Sequence, residues 1–176
     1  STSNPYFLSR PRRFGKSLLL STMEAYFLGK RDLFKGLAIE RLETEWNTHA
    51  VLHLDLNAEK YDSTERLHAM LERQLQKWEE TYETGGKGIT HSGRFMEVIQ
   101  KAYEKTGRGV VVLIDEYDKP LLNSFQDEEL QRAFRDTLTA FYSVLKSADQ
   151  WLRFVFITGV TKFAQMGIFS NLNQLV

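Results

Sequence analysis

The sequence lacks cysteine altogether and has only 4 histidines among its 176 residues. The absence of cysteine excludes disulfides, thiol catalysis and cysteine-based zinc sites. No uninterrupted apolar stretch approaches the roughly 18 residues needed to span a bilayer, so we expect a cytoplasmic protein with no membrane partner. Neither sign of charge predominates, because Lys and Arg number 23 and Asp and Glu also number 23. This balance gives no global field that favours nucleic acid or an anionic membrane.

What the chain does contain is the composition of an ordinary globular domain, with 42% hydrophobic and 26% charged residues. Its length suits one domain with a substantial core rather than two. The chain begins without Met, and its last segment, "NLNQLV", has no helix stop or polar tail. We therefore expect residues 1–176 to be one core domain of a longer protein, truncated at both ends.

Four short apolar runs predict β-strands, and long helical patterns separate them. The run "VVVLID" is unbroken and β-branched, which is typical of a strand buried on both faces. The order strand, helix, strand, helices, strand, helix, strand predicts an α/β fold with a mainly parallel sheet and helices on both faces. The predicted strands are Tyr6–Ser9, Val51–Leu56, Val110–Asp115 and Leu152–Thr158.

The helices are predicted from apolar stripes with a period near 3.6 residues. Asp62, with Glu65 three residues later, is a candidate cap for the first long stripe. The loop "TGGKG" is the one flexible break between two helices. The predicted helical stretches are Lys16–Leu28, Leu67–Tyr82, Phe95–Tyr103 and Leu130–Leu145.

A phosphate-binding loop is predicted where the first strand meets the first helix, in "SRPRRFGKSLLL". The usual pattern is G-x-x-x-x-G-K-[ST], and Arg10 stands where its first glycine is expected. Gly15 would let the backbone approach phosphate, Lys16 would reach the β and γ oxygens, and Ser17 would offer its hydroxyl to Mg²⁺. The residues predicted to contact the nucleotide are Arg13, Phe14, Gly15, Lys16, Ser17 and Leu18. The alternative is a basic strand-to-helix connection that is solvated or contacts nucleic acid.

A second motif, "VVVLIDEYDKP", supports the nucleotide interpretation. Asp115, at the carboxyl end of a central strand, would hold Mg²⁺, and Glu116 would orient and deprotonate the attacking water. Ligands of open α/β sheets lie beyond the carboxyl ends of the strands, so Lys16 and these two carboxylates should meet there. The alternative is an acidic turn after a buried strand. A GTPase would show Asp-x-x-Gly here, which is absent.

Three further polar residues are weaker candidates. Thr158 ends the last strand, where many ATPases place a sensor of the γ-phosphate or of the attacking water, and it completes the predicted catalytic set with Lys16 and Glu116. Lys162 lies a short turn beyond it. Asp55 ends the second strand at the rim of the site, where capping a turn is an equally good role for it.

The chain resembles the AAA-ATPase-like domains of many bacterial proteins. The resemblance rests on "LSRPRRFGKSLLLSTMEAYF", "VVVLIDEYDKPL" and "FITGVTKFAQMGIFSNLNQL", and it spans nearly the whole chain. Arg10 is typical of these domains rather than a departure. The resemblance implies a three-layer P-loop fold with strand order 5-1-4-3-2, of which the fifth strand is expected to be missing here.

The resemblance also implies a function. It implies an ATP-binding, Mg²⁺-dependent hydrolase that drives or regulates an attached effector domain, often nuclease-like and C-terminal. Nucleic acid would then be contacted only through that domain, and a homo-oligomer is possible. A nucleotide-binding regulatory module that does not hydrolyse ATP is the alternative, and direct nucleic acid binding by the arginines is the least favoured.

Overall fold

A computed structural model describes residues 5–9, 15–86 and 90–160. Its four strands form one sheet in which every neighbouring pair is parallel. The spatial order is β1-β4-β3-β2, so β3 and β4 are central among the described strands. The strands are β1 (Tyr6–Ser9), β2 (Val51–Asp55), β3 (Val110–Asp115) and β4 (Leu152–Gly159).

Helical segments connect the strands, as parallel pairing requires. Short 3-10 turns lie at Arg31–Phe34, Leu56–Ala58 and Asp149–Trp151. The α-helices are α1 (Lys16–Phe27), α2 (Ala38–Leu42), α3 (Thr64–Tyr82), α4 (His91–Thr106), α5 (Lys119–Asn123), α6 (Glu128–Tyr142) and α7 (Val144–Ser147).

The sheet is covered on both faces, and the side chains of β3 divide between the two layers. Val111 and Leu113 pack with Leu20 of α1 on one face. Val112 and Ile114 belong to the larger core on the other face, with residues of α3, α4 and α6. All six residues of β3 are buried. The unbroken apolar run therefore reflects a strand with no solvent-facing side, as the sequence predicted.

The strand predictions are confirmed, with β2 ending one residue earlier and β4 one residue later than expected. The α/β class, the parallel sheet and the two helical layers are confirmed as well. The order β1-β4-β3-β2 is the one that the resemblance implied for four of its five strands. The expected absence of a fifth strand is not tested, because residues 161–176 lie outside the described part of the chain.

Two helix predictions need correction. The predicted cap Asp62 is wrong, because the Ser63 hydroxyl accepts the hydrogen bond from the Arg66 N–H that caps α3. Asp62 instead forms an ion pair with Arg66 one turn later. The last predicted stripe is also two helices rather than one, since α6 ends at Tyr142 and Leu145 lies in α7.

The described helices include none that is both long and apolar enough to cross a membrane.

Candidate active site

Both predicted motifs lie at one edge of the sheet. β1, β4 and β3 are parallel neighbours in the sheet, so their carboxyl ends lie on the same side, and α1 follows β1 in the chain. This edge is the carboxyl edge, where open α/β sheets bind their ligands. The topology therefore brings together residues about a hundred positions apart in the chain.

Gly15 is the residue at which the chain turns into α1. It is the N-cap of that helix and has φ of 75°, a left-handed conformation that side chains other than glycine rarely adopt. A Cβ placed on Gly15 would meet nothing within 4 Å, so backbone conformation rather than crowding requires glycine here. No acidic residue lies in the first turn of the helix. The helix therefore supplies no negative side chain of its own to the positive end of its dipole.

Lys16 and Glu116 form an ion pair at the centre of the site. The Lys16 Nζ lies 2.7 Å from Glu116 Oε1. The two residues are only 4% and 7% exposed, so the charges meet away from bulk water. At this burial an opposite charge is needed to offset the cost of desolvation. The predicted convergence of the amine of the first motif with a carboxylate of the second is therefore present in the structure.

Ser17 and Asp115 form the second contact between the motifs. The Ser17 hydroxyl donates a hydrogen bond of 3.0 Å to Asp115 Oδ2. A hydroxyl and a carboxylate are the hard oxygen donors that Mg²⁺ prefers, and Mg²⁺ commonly takes only one or two protein ligands beside water and phosphate. Within the described ranges, no three His, Asp or Glu side chains group into a larger metal site. The pair fits a magnesium site completed by ligand oxygens.

Thr158 is fully buried and contacts both Asp115 and Glu116. Its hydroxyl donates a hydrogen bond of 2.5 Å to Asp115 Oδ1. The same oxygen accepts a hydrogen bond of 3.2 Å from the Glu116 amide. The Tyr117 amide in turn donates to the Thr158 carbonyl at 3.0 Å. Strand β4 is thereby fastened to the turn that follows β3.

Glu116 occupies an unusual backbone conformation in that turn. Its φ is 56°, in the left-handed region that residues with a Cβ seldom occupy. Such conformations persist only where surrounding contacts impose them, and they cluster at functional sites. Here the contacts are the hydrogen bond from its amide to Thr158 and the ion pair of its side chain with Lys16.

Asp118 is a buried carboxylate that the sequence prediction missed. It has no exposed surface, and its Oδ2 accepts a hydrogen bond of 3.0 Å from the Val160 amide. This contact ties the start of the segment after β4 to the second motif. The motif "VVVLIDEYDKP" already contained this second aspartate, but nothing in the chain order pointed to a partner 42 residues away.

Three aromatic residues support the turn from below. The ring of Tyr117 packs over Gly159 and meets the ring of Phe7 edge-on, with centroids 5.3 Å apart. The Tyr142 hydroxyl donates to the Tyr117 carbonyl. Burial, foremost, and the nearby Tyr61 and Asp118 raise the pKa of Tyr142 well above its ordinary value, so it stays a neutral donor.

The remaining predicted residues have mixed outcomes. Leu18 is 73% exposed in the first turn of α1, and its predicted contact with nucleotide stays a prediction. Asp55 accepts a hydrogen bond of 2.8 Å from the Asn57 amide, which is the turn-capping role. Arg13 and Phe14 of the loop, with Arg10 and Lys162, lie outside the described residues.

The sequence profile of a protein family matches residues 1–169, nearly the whole chain, and that family is described as a predicted AAA-ATPase, AAA-ATPase-like. This chain belongs to the AAA-ATPase-like family. The family assignment confirms the resemblance and supports a general ATPase-like nature. It is consistent with the paired motifs described above.

A curated relative of this family member comes from Azotobacter chroococcum mcd 1 and bears the name "Uncharacterized protein in vnfD 5′region". The two sequences are 39% identical over 171 residues. The alignment covers 97% of this chain but only 33% of the relative, so the chain spans about a third of that protein's length. No solved structure matches the chain.

Proposed function

We propose that this domain binds ATP with Mg²⁺ on a P-loop fold and hydrolyses it. Arg13 to Leu18 contact the nucleotide, with Lys16 on the phosphates, Ser17 and Asp115 hold the metal ion, and Glu116 is the general base. The observation that carries the proposal is the convergence of the two motifs, with Lys16 paired to Glu116 and Ser17 bonded to Asp115. Family membership supports the same function.

The proposed reaction requires few groups from the protein. Bound Mg²⁺ would neutralise charge on the phosphate oxygens. Glu116 takes a proton from water as the water oxygen attacks the γ-phosphorus, and the bond from that phosphorus to the β–γ bridging oxygen breaks to give ADP and phosphate. Lys16 offsets negative charge on the β and γ oxygens, a role that its burial strengthens because the local dielectric is low.

Two variants separate binding from turnover. Lys16→Ala should abolish ATP binding, because it removes the cation that faces the phosphates. Glu116→Gln should retain binding and stop turnover, since an amide cannot accept the proton. The measurements are calorimetric ATP titration and phosphate release by the full-length protein. Lys30→Ala and Glu129→Gln change exposed side chains and serve as matched controls. Normal hydrolysis by Glu116→Gln would show that the base is assigned wrongly.

One observation favours a second function, a nucleotide-binding regulatory module without hydrolysis. In this structure Glu116 Oε1 already lies 2.7 Å from the Lys16 Nζ, so an oxygen that would accept the proton of the attacking water is engaged in an ion pair. Single-turnover measurements on the full-length protein, with and without Mg²⁺, discriminate between the two functions. A magnesium-dependent rate that Glu116→Gln removes supports the hydrolase, whereas tight binding with no turnover supports the module.

We also propose that residues 1–176 form one unit of a longer protein, in which the nucleotide drives or regulates an attached effector domain. The threefold greater length of the Azotobacter chroococcum relative supports this view. A nuclease-like effector and a homo-oligomer are the arrangements that the family resemblance favours. Sedimentation of the full-length protein with and without ATP tests the oligomer.

A further inference from the structure

We propose that Thr158 is a positioning residue that orients Asp115 and Glu116, rather than a sensor that contacts the γ-phosphate. The inference rests on the proposed nucleotide function and assigns a role within that site. It rests on the two hydrogen bonds that the buried Thr158 hydroxyl already makes within the site, one as donor and one as acceptor.

A threonine hydroxyl has one proton to donate and two lone pairs that accept. In Thr158 the proton goes to Asp115 Oδ1, and a lone pair accepts from the Glu116 amide. Phosphate oxygens of bound ATP are acceptors only. A contact to the γ-phosphate would therefore require Thr158 to withdraw its proton from Asp115.

The bond to Asp115 fixes which carboxylate oxygen faces the metal position. Oδ1 is occupied by Thr158, and Oδ2 is turned toward the Ser17 hydroxyl. Removing a hydrogen-bond partner of a metal-ligating carboxylate typically lowers metal affinity or activity by about 10- to 100-fold. The Thr158 hydroxyl should therefore contribute to Mg²⁺ affinity whether or not a γ-phosphate is present.

The bond from Glu116 acts on the backbone. The Glu116 amide is held at 3.2 Å from Thr158 Oγ1, in the residue whose φ is 56°. This conformation directs the side chain to Lys16. The second effect of the Thr158 hydroxyl is thus to hold the general base in one orientation, which should influence the rate of turnover.

The decisive variants are Thr158→Val, which keeps the shape but removes the hydroxyl, and Thr158→Ser, which keeps the hydroxyl. In the full-length protein we expect Thr158→Val to weaken binding of both ADP and the ATP analogue AMP-PNP about tenfold in Mg²⁺. The affinities in EDTA should not change. Thr158→Ser should bind ADP and AMP-PNP in Mg²⁺ with the affinities of the wild type. Weakened AMP-PNP binding with unchanged ADP binding would identify a γ-phosphate sensor and overturn the proposal, as would no change for either ligand.

A second readout needs no nucleotide. Amide hydrogen exchange at Glu116 should accelerate at least tenfold in Thr158→Val, while the amide of Val112 on β3 stays protected, and Thr158→Ser should exchange like the wild type. Equal protection of Glu116 in all three proteins would exclude the positioning role. If the wild type binds neither nucleotide, the proposed function fails and takes this inference with it. If the wild type binds both and Thr158→Val is indistinguishable from it, only the inference fails.

Discussion

At the scale of single residues, the charges of Lys16 and Glu116 each offset the desolvation cost of burying the other. Both are almost fully removed from water, and their charged atoms lie 2.7 Å apart. Removing one partner of a buried pair leaves an uncompensated charge, which is far more destabilising than removing both. The ion pair should therefore be visible in stability measurements that involve no nucleotide at all.

The first prediction follows from this dependence. Glu116→Gln and Lys16→Met should each lower the free energy of unfolding by about 3 kcal/mol, because each removes this ion pair from a charge that stays buried. The double variant should lose much less unfolding free energy than the sum of the two single losses, since neither charge remains buried. Urea unfolding of the four proteins without nucleotide gives the coupling energy. Additive losses would show that the two charges do not depend on each other.

A second residue-scale prediction concerns Gly159, at the end of β4. A Cβ built there would lie 2.2 Å from Tyr117 Cε1 and 2.4 Å from Cδ1, closer than real atoms approach. Gly159→Ala must therefore displace the Tyr117 ring, and we expect it to lower stability by about 2 kcal/mol. Thermal unfolding measures the loss. Combining it with Tyr117→Leu should cost less than the sum of the single changes, and full additivity would argue against the steric cause.

At the scale of elements, one arginine joins the two long helices of the larger core layer. Arg94 of α4 contacts Glu79 of α3 through two nitrogens, at 2.5 and 3.1 Å, and Glu72 through a third at 2.5 Å. Its side chain is 13% exposed and that of Glu79 is 9% exposed. Such a bidentate, largely buried contact fixes the helices more firmly than a surface pair does.

The third prediction compares this contact with a more exposed ion pair at the ends of the two helices, between Lys105 in the last turn of α4 and Glu83, the C-cap of α3. Arg94→Met should lower the free energy of unfolding by about 3 kcal/mol, because Glu79 stays buried without its partner. Lys105→Met removes the exposed pair with Glu83 and should change stability little. Chemical denaturation measures both. Equal effects of the two substitutions would refute the importance of burial here.

Arg94 also makes the stability of the fold depend on pH, through its contact with Glu72. The hydrogen bond from Arg94, foremost, holds the pKa of Glu72 below its ordinary value of 4.5. A carboxylate with a lowered pKa contributes stability that is fully present above the ordinary value and is lost as the pH falls through the lower, folded value. Wild-type stability should therefore decline below about pH 4.5, and Glu72→Gln should make that decline shallower. Thermal unfolding between pH 3 and pH 7 tests it, and an unchanged slope would contradict it.

At the scale of the whole molecule, the sequence predicted the sheet better than it predicted the contacts between strand ends. The strands were predictable because a parallel sheet covered on both faces requires continuous apolar runs, as in Val110–Asp115. The meeting of Lys16 with Glu116 was predictable because parallel strands end at one edge. The short helix Ala38–Leu42 was not, since five residues are too few to display a period.

The unpredicted contacts join residues that only the strand order brings together. The expected role of Thr158, a sensor of the γ-phosphate or of the attacking water, stays a prediction, whereas its contacts with Asp115 and the Glu116 amide were not predicted and follow from strand pairing. The contact of Asp118 with Val160 has the same origin. The choice of Ser63 over Asp62 as the cap of α3 depends on one residue of helix register, which periodicity does not resolve.

The final prediction uses the unequal burial of the strands. β3 is buried throughout and pairs on both sides, whereas β1 has four residues and pairs with β4 alone among the described strands. Amides of β3 should therefore exchange only on global unfolding, and those of β1 through local opening at lower free energy. Because the proposed phosphate loop lies between β1 and α1 in the chain, Mg²⁺ and ATP should slow exchange in β1. When the free ATP concentration in Mg²⁺ is one hundred times its dissociation constant, ATP binding should also add about 2.7 kcal/mol to the free energy of global unfolding. Lys16→Ala should show neither effect of ATP. Equal protection of β1 and β3 without nucleotide would mean that β1 is held by contacts beyond β4.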